Sequence, residues 1–435
     1  MSSPIVYWLY LAHLVVPGFI LWDSVRAYRR GFAGRSPRVL IALGVVWILI
    51  GLALWALRRR PRVARVLPNL TLAFFTVLLC LIVVETAISV MFPVFRTGLT
   101  HIHRPPLLKI EIVKNPHPVA GSVVNTVFTT NELGMRGPSV KDKARAFRVL
   151  AIGGSTTECF DLDDSRTWPY LLMKALEGSG GGGRVWLQNA GLSGHTSTDH
   201  LYMLRTNPVA KEADLILLLV GANDLIAAVA FEGRSTEAEL ERRAGERFAI
   251  FPRYSRSAIF KLLRSLSAAR SELRYDQASF YETMRNKRRS KPLLPAPDLR
   301  HAIDEYGKRI RQLAQECQKS GKRCVFMTQP TLWHAALSRE EDASLWLGGL
   351  GRKQNYKGYL APADLEMAMD GFNRRLLESA RTEGVETFDL SAQVPKTLSV
   401  FYDDAHFTNE GARVVAEKVY EYLNSVPGRK QSSAS

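Results

Sequence analysis

The chain has 435 residues, 46% of them hydrophobic, and a net charge of +17, which is room for one large domain or two ordinary ones with a sizeable core. Residues 1–104 hold twelve Arg, no Lys and two acids, Asp23 and Glu85, so +10 of that charge lies there and +7 on the remaining 331 residues. No nucleic-acid motif accompanies the basic stretch, which speaks against nucleic acid as a partner; charge beside apolar runs instead suits anionic lipid headgroups.

Three apolar runs open the chain: Ile5–Trp22, Val39–Leu57 and Asn69–Phe92. The second and third have the length and the flanking arginines of membrane helices. The first contains His13 and Pro17 and either spans or lies at the interface. No cleavable signal is evident, so residues 1–95 read as a multi-pass membrane anchor of two or three transmembrane helices, with membrane lipids as partners. Orientation is contradictory, because loops 26–38 and 58–65 carry five Arg each and flank one span. The third run taken alone, with its arginines on the N-terminal side, puts the domain that follows it on the periplasmic or extracytoplasmic face of a bacterial inner membrane. Glu85 lies within that run and is a functional candidate by its depth, or a partner for His13.

Residues 96–145 read as an extended linker, with Pro105-Pro106, His117-Pro118 and Gly137-Pro138, that adds a strand or packs along the domain edge. An α/β rhythm then occupies 146–426. Strands are expected at Phe147–Ile152, Val185–Gln188, Asp214–Val220, Cys324–Thr328 and Val385–Leu390. Helices are expected at Thr167–Glu177, near Thr198–Arg205, and at about 302–319, 364–382 and 409–424. Nearly continuous apolar strands between amphipathic helices predict an open, doubly wound parallel sheet. Insertions at 231–300, with a helical patch at Ser257–Arg270, and at 331–363 follow strand ends, where ligands bind in such sheets. Trp333, His334 and Trp346 in the second are candidate substrate-binding residues, the alternative being aromatics buried locally. Gly178–Gly183 precedes a strand and lacks a following Gly-Lys-Ser/Thr, so it is a loop and no phosphate cradle. Residues 427–435 read as a disordered tail. Of the four Cys, Cys317 and Cys324 flank a helix-to-strand turn and read first as small buried hydrophobes, with pairing in an oxidising compartment as the alternative.

Four blocks carry chemistry: Gly153-Gly154-Ser155-Thr156, Asn189-Ala190-Gly191-Leu192-Ser193-Gly194, Gly221-Ala222-Asn223-Asp224 and Asp403-Asp404-Ala405-His406. Ser155 follows the first strand of the repeat, and its hydroxyl needs a base to become nucleophilic. His406 can be that base, with Asp403 three residues earlier to hold its tautomer. Asp404 is the rival for the acid role. An oxyanion would find donors in the Ser155 amide, the Gly194 amide and the Asn223 side chain. Asp224 is a candidate cap for the helix that follows Asn223.

These blocks resemble the SGNH (GDSL-type) hydrolases, over roughly residues 130–425. Asn131-Glu132-Leu133-Gly134-Met135-Arg136-Gly137 resembles the lead-in of many bacterial members. Gly154 departs from the Gly-Asp-Ser form, so packing at the nucleophile must differ. The resemblance implies a flavodoxin-like three-layer fold, no metal and no cofactor. It makes Ser155 the nucleophile, Gly194 and Asn223 oxyanion donors, and His406 with Asp403 the base pair. It also implies esterase, thioesterase, lysophospholipase or glycan acyl-transfer activity. With the anchor, the expectation is a serine esterase acting on O-acyl, chiefly acetyl, esters of a cell-envelope glycan. Alternatives are a lipid-directed esterase, a glycan O-acyltransferase, or a non-catalytic subunit among membrane polysaccharide-assembly partners.

Overall fold

The computed structural model describes residues 60–91, 106–113, 125–178 (except Arg145), 184–234, 273–352 and 355–425, with Val45, Leu49, Arg104, 257–260 and 262–263. The expected span Ile5–Trp22, most of Val39–Leu57 and the tail 427–435 lie outside them. Two compact units emerge: Met1–His101 with Arg242–Arg264, and Ile102–Glu241 with Ser265–Ser435.

In the first unit a helix runs from Pro61 to Met91. Over the described residues no helix is long and apolar enough to cross a membrane, so the expected anchor gains no support from the structure. Leu72, Val77, Leu79 and Ile82 on that helix are nevertheless exposed. Glu85 has a capping role: its carboxylate accepts from Ser257 Oγ at 2.7 Å and from the amides of Ala258 and Ile259 at 2.6 and 3.0 Å. A carboxylate there satisfies donors that the first helical turn leaves open. The middle of the first insertion thus belongs to this unit.

The second unit is built on a five-stranded parallel sheet of β3 (Phe147–Gly153), β4 (Val185–Asn189), β5 (Leu215–Leu219), β7 (Arg323–Met327) and β10 (Glu386–Phe388), in the order β10-β7-β5-β3-β4. Leu215–Leu219 is buried at every position, as a strand covered by helices on both faces must be. Helices Trp168–Gly178, Ser197–Thr206, Arg300–Ser320, Pro362–Thr382 and Asn409–Ser425 fall where the sequence rhythm puts them. Strand order reverses about β3 and β5, so the crevice of this doubly wound fold opens beyond their carboxyl ends.

The stretch read as a linker contains structure: β1 (Lys109–Val113) and β2 (Asn125–Thr129) pair antiparallel, and β1 pairs in parallel with β6 (Leu273–Asp276). Alternation along β1 buries Ile110 and Ile112 with Leu108 and Phe128. The second insertion forms a short helix, Arg339–Ser344, and a hairpin of β8 (Gly349–Arg352) and β9 (Asn355–Tyr359). Cys317 and Cys324 are joined in a disulfide, Cα–Cα 6.2 Å, which corrects their reading as unpaired hydrophobes. The helix ends at Gly321 in a left-handed turn, and that reversal brings the two cysteines together.

Candidate active site

β3 ends at Gly153, and Ser155 opens a one-turn helix, Ser155–Glu158, at the switch point of the sheet. β5 ends one loop away, and Gly221 at φ +124° turns the chain into the helix carrying Asn223. The third contribution comes from the turn before Asn409–Ser425. With the imidazole proton on Nδ1, Ser155 Oγ donates to His406 Nε2 at 2.8 Å, and Nδ1 donates to Asp403 Oδ2 at 2.8 Å. Asp403 is fully buried; its Oδ1 accepts from the amides of Ala405 (3.0 Å) and His406 (2.9 Å), so a tight turn holds acid and base in register.

Electrostatics follow from this packing. Burial alone would push the His406 imidazole down, but attraction to Asp403, its hydrogen bond, and the further carboxylates Asp161 and Asp404 outweigh burial and hold it at about 9. Burial would likewise raise Asp403, yet His406, Trp346 and the Ala405 amide keep it below the usual carboxylate range. Asp404 is raised, first by burial and then by repulsion from Asp403.

Asn223 Nδ2 donates one hydrogen to His195 O at 2.9 Å, which ties it beside Gly194. Gly194 is exposed at φ +82°, a backbone state that a residue with a Cβ adopts at a cost. Gly154 explains the missing acid of the Gly-Asp-Ser form: a Cβ there would stand 2.6 Å from Asn223 Nδ2. The structure thus brings Ser155, His406, Asp403, Gly194 and Asn223 to one edge of the sheet.

The GDSL-like lipase/acylhydrolase family model matches residues 151–414, more than half of the chain. The chain belongs to this family. It is accordingly a serine hydrolase of carboxylic esters. Among solved structures it is similar to the acetylxylan esterase Axe2 from Geobacillus stearothermophilus, at 13% identity and TM-score 0.37, covering 65% of this chain and 97% of that one. It is similar also to LAE5, an alpha/beta hydrolase from the metagenome of Lake Arreo, Spain, at 13% identity and TM-score 0.37, covering 65% and 96%. No curated protein matches the chain.

Several residues of this GDSL-type site play parts other than those expected. Trp333 is fully buried, and its indole N–H donates to Asp404 Oδ1 at 2.8 Å, so it offers no surface to a substrate. Asp404 also accepts from the amides of Trp346 (2.7 Å) and Leu347 (3.0 Å). It pins the second insertion to the catalytic turn, and that task removes it as rival to Asp403. Trp346 donates from Nε1 to Asp403 Oδ2 at 2.8 Å, and its ring lies parallel to His406. It supports the acid and base. His334 is half-buried with Nε2 4.0 Å from Glu341.

Other residues went unread. Glu158, buried one turn after Ser155, accepts from the Ser193 amide at 2.8 Å and from Arg104 Nε at 2.7 Å, fixing the loop that carries Gly194. Arg136 of the lead-in block donates to the carbonyls of Glu158, Cys159 and Leu162 (2.9, 2.6 and 2.8 Å) and so shapes the chain after the nucleophile. The spacing of Glu158 from Ser155 was the available signal. Asp224 caps a neighbouring helix instead of its own, accepting from Ser197 N at 3.0 Å. Among the described residues no group of three His, Cys, Asp or Glu is placed to hold a metal ion.

Proposed function

We propose that this esterase is a membrane-held enzyme that removes short acyl groups, chiefly acetyl, from O-acylated cell-envelope glycans by an acyl-enzyme mechanism. The hydrogen-bonded chain Ser155–His406–Asp403 at the sheet's switch point carries the reading. Ser155 Oγ attacks the ester carbonyl while its proton passes to His406 Nε2, and the imidazolium formed faces Asp403. The Ser155 and Gly194 amides and the second N–H of Asn223 receive the oxyanion. Collapse breaks the ester C–O bond; the leaving alkoxide takes the proton from His406 and departs as the alcohol. Water, deprotonated by His406, then attacks the acyl-Ser155, releasing acetate and restoring the serine hydroxyl.

Ser193 and Gly194 lie exposed at this edge, which favours a short acyl group presented from an open polar surface over a long chain threaded into a channel. The arginine-flanked apolar runs and the exposed leucines and valines of Pro61–Met91 support membrane attachment. The Cys317–Cys324 disulfide supports a catalytic unit on the oxidising, extracytoplasmic side. Acetate release by the full-length protein tests the reading, with an O-acetylated envelope glycan set against a lysophospholipid at equal concentration. We expect the glycan to be deacetylated, and Ser155→Ala and His406→Ala each to lose the activity. Preference for the lysolipid would reject the substrate assignment, and full activity in both variants would reject the mechanism.

A further inference from the structure

A third carboxylate stands beside the catalytic histidine, unused by the mechanism above. Asp161 lies in the loop after the nucleophile's helix and is buried, 5% exposed. Its Oδ2 accepts from Tyr402 Oη at 2.5 Å and from Tyr281 Oη at 2.8 Å, and the two hydroxyls are 3.2 Å apart. The Tyr402 ring lies parallel to His406, centroids 5.7 Å apart and planes within 12°. Tyr281 packs edge-on against Tyr402 at 5.6 Å and against Trp346 at 5.9 Å. Asp161 is therefore joined, through the Tyr402 hydroxyl, to a ring stacked on the base.

We infer that Asp161 is a positioning residue for His406: through Tyr402 and Tyr281 it fixes the surface on which the imidazole rests, and its charge favours the imidazolium formed as Ser155 loses its proton. The inference rests on the serine-esterase reading and deepens it. A carboxylate needed only to satisfy two phenols could be replaced by a neutral acceptor without consequence for the base. Here its charge adds to those of Asp403 and Asp404 in favouring protonated His406. The opposing groups are Arg285, which donates to Tyr402 O at 3.0 Å and lies over the Tyr281 ring, and Arg288, which attracts Asp404. Both phenols are held neutral well above their ordinary range, by burial first and by Asp161 next. Asp161 is thus the acid of the network whose charge reaches His406. The arrangement also joins the two ends of the catalytic sequence, because Asp161 follows Ser155 while Tyr402 precedes Asp403.

The test is the rate of fluorophosphonate labelling of the full-length protein as a function of pH, which needs no knowledge of the natural ester. Asp161→Asn keeps an acceptor for both phenols and removes the charge. We expect its labelling to rise with pH through a midpoint roughly one unit below that of wild type, the size a single nearby charge imposes at a buried site. A folded Asp161→Asn protein with an unmoved midpoint would overturn the inference and leave the esterase reading intact. Tyr402→Phe keeps the ring and the carboxylate but cuts the link. We expect a limiting rate lower by about tenfold with the midpoint retained, and an unchanged rate would equally overturn it, so the question is decided even where Asp161→Asn does not fold. Wild type that takes no label at any pH would sink the esterase reading, and this inference with it.

Discussion

His406 meets Ser155 across 251 residues of chain because both leave the same sheet edge, and what each does there depends on neighbours one side chain away. Gly154 is the sharpest case. In Gly154→Ala the methyl would displace the end of a flexible side chain, Asn223, so the fold should survive while an oxyanion donor moves. The expected result is a fall in kcat of about 100- to 1,000-fold, matched by Asn223→Ala, with unchanged thermal unfolding. A Gly154→Ala enzyme of normal kcat would show that Asn223 gives no such help. The histidine yields a second prediction. Its pKa is raised to about 9 while Asp403 is lowered. The base is thus mostly protonated below that value, and kcat/KM should climb with pH through an ionisation well above the ordinary histidine range near 6.5. A pH–rate profile already flat from pH 6 upward would contradict it. At this scale the reactive atoms were legible, since Ser155, Asn223 and His406 sit in short blocks of fixed spacing. Their supports were not. Tyr281, Trp346 and Asp161 come from distant segments, and no local spacing announces that they gather with Tyr402 beside the catalytic turn.

Elements hold the site through polar ties buried between helices. Asp224, beside Asn223, accepts from Ser197 N and lies 3.5 Å from Arg309, whose Nε donates to Ser197 Oγ at 2.8 Å. Asp224 and Arg309 are both almost wholly buried, so Arg309→Ala would strand a carboxylate that burial already pushes upward. We expect a loss of about 3–5 kcal/mol at neutral pH. Because the folded-state pKa is raised, the penalty should shrink as pH falls and Asp224 takes up a proton. Urea unfolding at pH 7 and pH 5 measures this; an equal loss at both would contradict the account. Strands and helices of the repeat were legible because buried parallel strands are nearly all apolar, as in Leu215–Leu219. β1 and β2 were legible only as a linker able to add a strand, their bounds obscured by neighbouring Pro residues, although Lys109–Val113 alternates as a half-buried strand does. Trp333 was left open between substrate contact and local burial for another reason: an aromatic in an insertion looks the same in sequence whether it faces solvent or, as here, serves a buried Asp404.

The whole molecule joins a GDSL-type catalytic unit, residues 102–241 and 265–435, to a second unit that contributes the long helix and takes back part of the insertion. That return was hidden from the sequence, because Ser257 and Glu85 are 172 residues apart. The proposal of a membrane-held enzyme concerns this scale, whereas the central claim concerns the chemistry at one serine. Intact-mass analysis after fluorophosphonate treatment of the full-length protein tests that claim most directly. The account predicts a single adduct on wild type and none on Ser155→Ala or His406→Ala. A folded wild type that stays unlabelled, or a Ser155→Ala protein labelled as fully as wild type, would contradict it.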